Sequence, residues 1–166
     1  MVGSEVWYSV VTSRDAPDDP PLRVSDHPFL RGMSPEWVEA VGKGSVDVTY
    51  EPGELLFRDG EVADRFFLIF HGLVTVELRE PGGRPRAIQT IGPGDVLDWS
   101  GIVPPYVWRF DGRAVKETRV VSLNSSALRR SLDTHPADGV RFLRRLLPLI
   151  GQRAENARAQ LGELRE

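Results

Sequence analysis

A chain of 166 residues, 40% hydrophobic and 27% charged, is long enough to bury one domain-sized core and is composed like a globular protein. A net charge of −3 gives no overall attraction to nucleic acid or to an anionic membrane, and no apolar run approaches the roughly 20 residues of a membrane helix. With no cysteine, disulfides, thiol catalysis and cysteine-held metal are excluded, which together with the lack of a secretory signal points to the cytoplasm.

Residues 1–27 carry the run DAPDDPPL, which can neither form a helix nor join a central strand, and they read as a flexible leader. Ser34-Pro35-Glu36 is a helix start: a capping hydroxyl, a proline at the first helical position and a carboxylate at the positive end. The expected helix, Ser34–Val41, turns Trp37, Val38 and Val41 to one side and stops at Gly42. Alternation then predicts short strands at Val46–Tyr50, Leu55–Phe57, Phe66–Phe70, Val74–Leu78 and Ala87–Ile91, with a last one at Arg119–Leu123. Glycine turns separate them, and His71-Gly72 marks a bulge or a close backbone approach. Many short strands at regular spacing mean a sandwich or barrel rather than a parallel sheet.

The period changes after Asn124. Ser125–Leu132 reads as a short helix capped by Asn124 or Ser125, and from Ala137 to Glu166 the pattern is helical. Leu143, Leu147, Ile150, Ala154, Ala157, Leu161 and Leu164 recur at alternating steps of four and three, a heptad seam with Pro148 and Gly151 expected to kink it. Phe142 and Leu146 are expected to face the barrel. Leu147, Ile150, Ala154, Ala157, Leu161 and Leu164 are expected to pair with a second copy in a homodimer.

The stretch Tyr50–Val76, YEPGELLFRDGEVADRFFLIFHGLVTV, resembles the cyclic-nucleotide-binding domain family in its aromatic, proline/glycine, Phe-x-x-Gly, Ala-Asp and Gly-x-Val spacing. Gly94-Asp95 resembles the turn into that family's phosphate-binding cassette. The resemblance covers His27 to Arg153 and implies a mainly β fold with flanking helices. In it, a double-stranded β-helix of the jelly-roll type spans residues 28–135, and a C-terminal helix spans 136–166. It further implies a non-enzymatic regulatory module that senses a small ligand, with a cyclic nucleotide, cAMP or cGMP, as the candidate. The alternative is a ligand-free domain that serves as a dimerisation or docking scaffold.

The cassette itself departs from the family. Leu97-Asp98-Trp99 stands where Phe-Gly-Glu would place a ribose acceptor, and the phosphate arginine's position falls at or near Trp108, beside Arg109. A ribose diol needs an acceptor, and an indole supplies only a donor. Ligand contacts are therefore expected from Asp98, Trp99, Ser100, Gly101, Arg109 and Arg113, with Ser100 and Gly101 offering N–H groups at a turn and the arginines meeting an anion. Tyr106, Trp108 and Phe110 read as core and pocket wall. The histidines at 27, 71 and 135 lack zinc-ligand spacing, so no metal site is expected. No triad, carboxylate pair, P-loop or dinucleotide fingerprint points to catalysis. The family's activator branch carries a helix-turn-helix domain after the long helix. This sequence stops at Glu166, so direct DNA contact is not expected.

Overall fold

A computed structural model describes residues 19–97 and 99–163, the side chains of Leu161 and Glu163 excepted. The strands among them are, in chain order, β1 (Val46–Tyr50), β2 (Leu55–Phe57), β3 (Arg65–His71), β4 (Val74–Leu78), β5 (Arg86–Ile91), β6 (Val96–Leu97), β7 (Asp111–Ala114) and β8 (Thr118–Asn124). They form two four-stranded antiparallel sheets, ordered β1-β8-β3-β6 and β2-β7-β4-β5. The helices are α1 (Pro35–Gly42), α2 (Ser125–Thr134) and α3 (Pro136–Glu163). This is the mainly β roll with flanking helices that the sequence implies.

Period-two alternation between two cores explains why β3 and β8 are buried along most of their length. Phe67, Ile69 and Val120 point into the roll, where they meet Tyr50, Phe57, Val74, Ile91 and Trp108. The alternate residues Phe66, Leu68, Val121 and Leu123 point the other way into a second core shared with Trp37, Leu128, Phe142 and Leu146 of the helices. A strand buried on both faces reads as a continuous hydrophobic run rather than as an alternation. Phe142 closes this outer core: its ring lies 5.5 Å from those of Phe29 and Trp37 and 5.6 Å from that of Phe66.

The two strands the sequence hides are short or polar. β6 has two residues, and β7 is Asp-Gly-Arg-Ala, whose charged members sit on the outer face of their sheet. There Arg113 pairs with Glu77 at 3.1 Å and Arg79 with Asp111 at 2.9 Å. Burial raises the Asp111 carboxyl. The Asp59 N–H and the Arg79 guanidinium outweigh it, and the group stays below the usual carboxylate range.

Residues 19–27 are attached to the roll: Leu22 N–H donates to Asp47, Arg119 reaches Asp19 and the Pro20 carbonyl, and His27 is buried. Asp19, Pro20 and Leu22 are thereby tied to Asp47 of β1 and Arg119 of β8, and the chain then makes a 3-10 turn at Val24–Asp26. Residues 1–18 lie outside the described residues. α3 is continuous through Pro148 and Gly151. Among the described residues no helix is long and apolar enough to cross a membrane, and no cluster of three or more His, Asp or Glu could hold a metal ion.

Candidate functional site

The segment between β6 and β7 closes the roll beside α3. Trp99 and Ile102 form a turn, with Ile102 N–H donating to the Trp99 carbonyl at 2.9 Å, and a second turn joins Val103 to Tyr106. The chain then runs against the loop before β3. Ala63 N–H donates to the Tyr106 carbonyl, Trp108 N–H to the Glu61 carbonyl and Gly60 N–H to the Trp108 carbonyl, at 2.8, 2.9 and 2.8 Å. That ladder fixes the direction of Trp108, whose ring stacks on Phe57 with centroids 4.8 Å apart inside the roll. The position that resemblance assigns to the phosphate arginine is thus filled by a core indole.

The expected ligand residues part company here. Trp99 is half-buried and borders the cleft described below. Ser100 is buried at an adjoining crevice, and Arg109 is exposed at the rim of that same crevice. Gly101 serves packing: a Cβ there would stand 2.8 Å from the Ser125 Cβ and 2.9 Å from the Ala63 carbonyl, so only bare backbone lets the turn approach α2. Arg129 of α2 donates to the Gly101 carbonyl and lies over the Tyr106 ring at 4.2 Å. Arg113 does not join the site, because strand alternation turns it to the outer face, where it holds Glu77 and the Gly53 carbonyl. Asp98 lies outside the described residues.

One residue that sequence reasoning missed is Arg153. It belongs to α3, its Nη2 donates to the Val96 carbonyl at 2.8 Å, and its guanidinium carbon lies 5.2 Å from the centre of the Trp99 ring. The sequence reads it as a solvated flank of a coiled coil. Its place one helical turn after Ile150, on the same side of the helix, was the available signal.

Arg153 stands at a cleft of about 130 Å³ between the roll and α3. The roll contributes Val76, Ile88, Gln89, Trp99 and Phe110, and α3 contributes Ile150, Arg153, Ala154 and Ala157. Gln160 Nε2 donates to the Ile88 carbonyl further along and helps hold α3 against β5. The expected dimer seam is therefore divided. Ile150, Ala154 and Ala157 border the chain's own cleft, while Leu143 and Leu147, with Val140, are exposed. Leu161's side chain and all of Leu164 lie outside the described residues.

Among the described residues no carboxylate borders the cleft or the crevice to accept from a ribose diol. The cleft also falls short of the roughly 300 Å³ at which small-molecule pockets usually begin.

The chain matches the cyclic nucleotide-binding domain family over residues 47–135. It is 28% identical over 136 residues to the CRP-like cAMP-activated global transcriptional regulator of Mycobacterium tuberculosis, covering 82% of this chain and 59% of that protein. It is 34% identical over 118 residues to the HTH-type transcriptional regulator Cmr of the same organism, covering 68% of this chain and 44% of that one. The chain thus spans only part of the length of the curated relatives it matches. Its fold is similar to that of a cyclic nucleotide-binding domain from Methylobacillus flagellatus, with a TM-score of 0.68 at 22% identity over 82% of this chain and 81% of that one. The matched residues run from β1 to the end of α2, and the chain belongs to the cyclic nucleotide-binding domain family.

Proposed function

We propose that this chain is a non-enzymatic, cytoplasmic regulatory module, homodimeric through α3. It senses a small anionic or nucleotide-like ligand and signals through that helix. The observation that carries the reading is the composition of the cleft, one wall of which is α3 itself. A ligand seated there touches roll and helix together, so it binds one helix position better than another and shifts the balance between them. The relatives carry names of transcriptional regulators, one of them cAMP-activated, which makes cAMP and cGMP the first ligands to try.

Calorimetry and thermal melting test this directly. A ligand at about 100 times its dissociation constant stabilises the fold by roughly 2.7 kcal/mol, a readily measured melting shift. No heat and no shift with either nucleotide at millimolar concentration would remove cyclic nucleotides as the ligand.

A second reading is favoured by the small size of the cleft and by the Arg153–Trp99 stack already in it. On that reading the domain is a ligand-free scaffold for dimerisation or docking. It predicts a dimer whose melting no small molecule moves.

A further inference from the structure

A separate cavity of about 250 Å³ shares no lining residue with the cleft or with its adjoining crevice. It lies between the loop before β3, the Val103–Tyr106 turn and the start of α2. Pockets for drug-sized molecules begin at roughly 300 Å³, so this one suits a smaller guest.

Two opposite charges border it without pairing. Arg129 is half-buried, with Nη1 on the Gly101 carbonyl and its plane over the Tyr106 ring. Its Nε and Nη2 have no hydrogen-bond or ion-pair partner among the described residues. Asp64 is exposed, and its carboxylate has no such partner either. On the outer sheet face, by contrast, Arg79 and Arg113 are each matched to a carboxylate. A lone anion in this cavity would bring its charge beside Asp64, and a lone cation would meet Arg129. A zwitterion satisfies both.

The start of α2 adds a donor. Ser125 N–H donates to the Asp64 carbonyl and Ala127 N–H to Asn124, which leaves Ser126 N–H over in the helix's first turn. Ser125 also belongs to the lining, and its buried hydroxyl has no partner, a cost that a polar guest relieves. The remaining lining is apolar: Val62 and Pro105 are exposed there, beside Ala63 and the Tyr106 ring.

We propose that this cavity binds a free α-amino acid with an apolar side chain. Its carboxylate meets Arg129 and the first turn of α2, its ammonium meets Asp64, and its side chain lies against Val62, Pro105 and Tyr106. The site is independent of the cleft, and neither needs the other's ligand.

The test is calorimetry of the full chain with L-leucine, with L-leucinamide, which lacks the carboxylate, and with isocaproate, which lacks the ammonium. Leucine is expected to bind about tenfold more tightly than leucinamide, the loss that goes with one charge-assisted hydrogen bond. Its margin over isocaproate is expected to be about threefold, because solvent weakens an ion pair to the exposed Asp64. Asp64→Asn is expected to erase the margin over isocaproate and keep the margin over leucinamide, and Arg129→Gln to do the reverse. Arg129 also holds the Gly101 carbonyl. Should Arg129→Gln fail to fold, Asp64→Asn still decides, since that side chain makes no described hydrogen bond. No heat from leucine at millimolar concentration overturns the proposal, as do equal affinities for the three compounds. A margin over isocaproate that survives Asp64→Asn overturns it too.

Discussion

His27 is 1% exposed, yet both its ring nitrogens are engaged: Nε2 donates to the Ile69 carbonyl at 2.9 Å and Nδ1 accepts from Phe29 N–H at 3.3 Å. Only a neutral ring with its proton on Nε2 satisfies both contacts. Burial lowers the folded pKa below 6.5, against the smaller opposing pull of the Ile69 carbonyl and Asp95. Below about pH 6.5 the unfolded chain therefore takes up a proton that the folded ring refuses. The stabilisation is complete above that pH and falls as the pH drops toward the folded value. The urea midpoint is expected to decline between pH 7.5 and pH 5.5, with a shallower decline in His27→Gln; equal slopes would show that His27 is not responsible. None of this was legible locally, since the partner that buries the ring lies 42 residues away. Gly72 is the opposite case. A glycine ending an apolar run announced a close approach, and a Cβ there would stand 2.5 Å from the Thr118 Cα and 2.6 Å from the Glu117 carbonyl, at a φ of +97°.

At the scale of elements, the long strands and capped helices were readable because each carries its own period or its own stop signal. Ser34 caps α1 as its spacing predicts, accepting from Trp37 N–H at 3.2 Å, and Asn124 caps α2 through Ala127 N–H. What was not readable is how elements are tied together. Ser34 also donates its N–H at 3.0 Å, and its hydroxyl, to Asp138 of α3, which joins two helices 104 residues apart. Arg145 likewise donates to the carbonyls of Phe29 and Arg31, and Arg141 to that of Gly32. Arginine rather than lysine suits this role, since one planar guanidinium reaches two carbonyls at once. Asp138→Ala is expected to cost about 1–3 kcal/mol, the penalty for stranding the Ser34 donors, with Asp138→Asn costing less. The Ser34 hydroxyl and N–H hold the Asp138 carboxyl below its usual range. Its contribution is therefore present above the ordinary carboxylate pKa and is lost as the pH falls through the lowered one. Equilibrium unfolding of both variants near neutral pH measures it, and two variants as stable as the parent would refute the tie.

For the molecule as a whole, one helix serves two surfaces. Ile150, Arg153, Ala154 and Ala157 face the cleft, while Val140, Leu143 and Leu147 are 48%, 38% and 62% exposed along the preceding turns. The heptad seam was legible as a repeat. Its division into residues that border the chain's own roll and residues left exposed was not, because periodicity records which face is apolar and not what covers it. An exposed apolar stripe at steps of three and four suits an antiparallel or parallel pairing with the same stripe of a second copy. The wild type is accordingly expected to sediment as a dimer at micromolar concentration. Leu143→Glu combined with Leu147→Glu is expected to give a monomer with an unchanged circular dichroism spectrum, since neither side chain belongs to the two cores. Because cleft and stripe share α3, anything that binds the cleft and favours one helix position must alter self-association, and dimerisation must alter cleft affinity by the same factor. Sedimentation equilibrium with and without saturating ligand measures that factor. A wild type that stays monomeric, or a dimer whose association constant no bound ligand moves, would separate the two surfaces and leave α3 a passive brace.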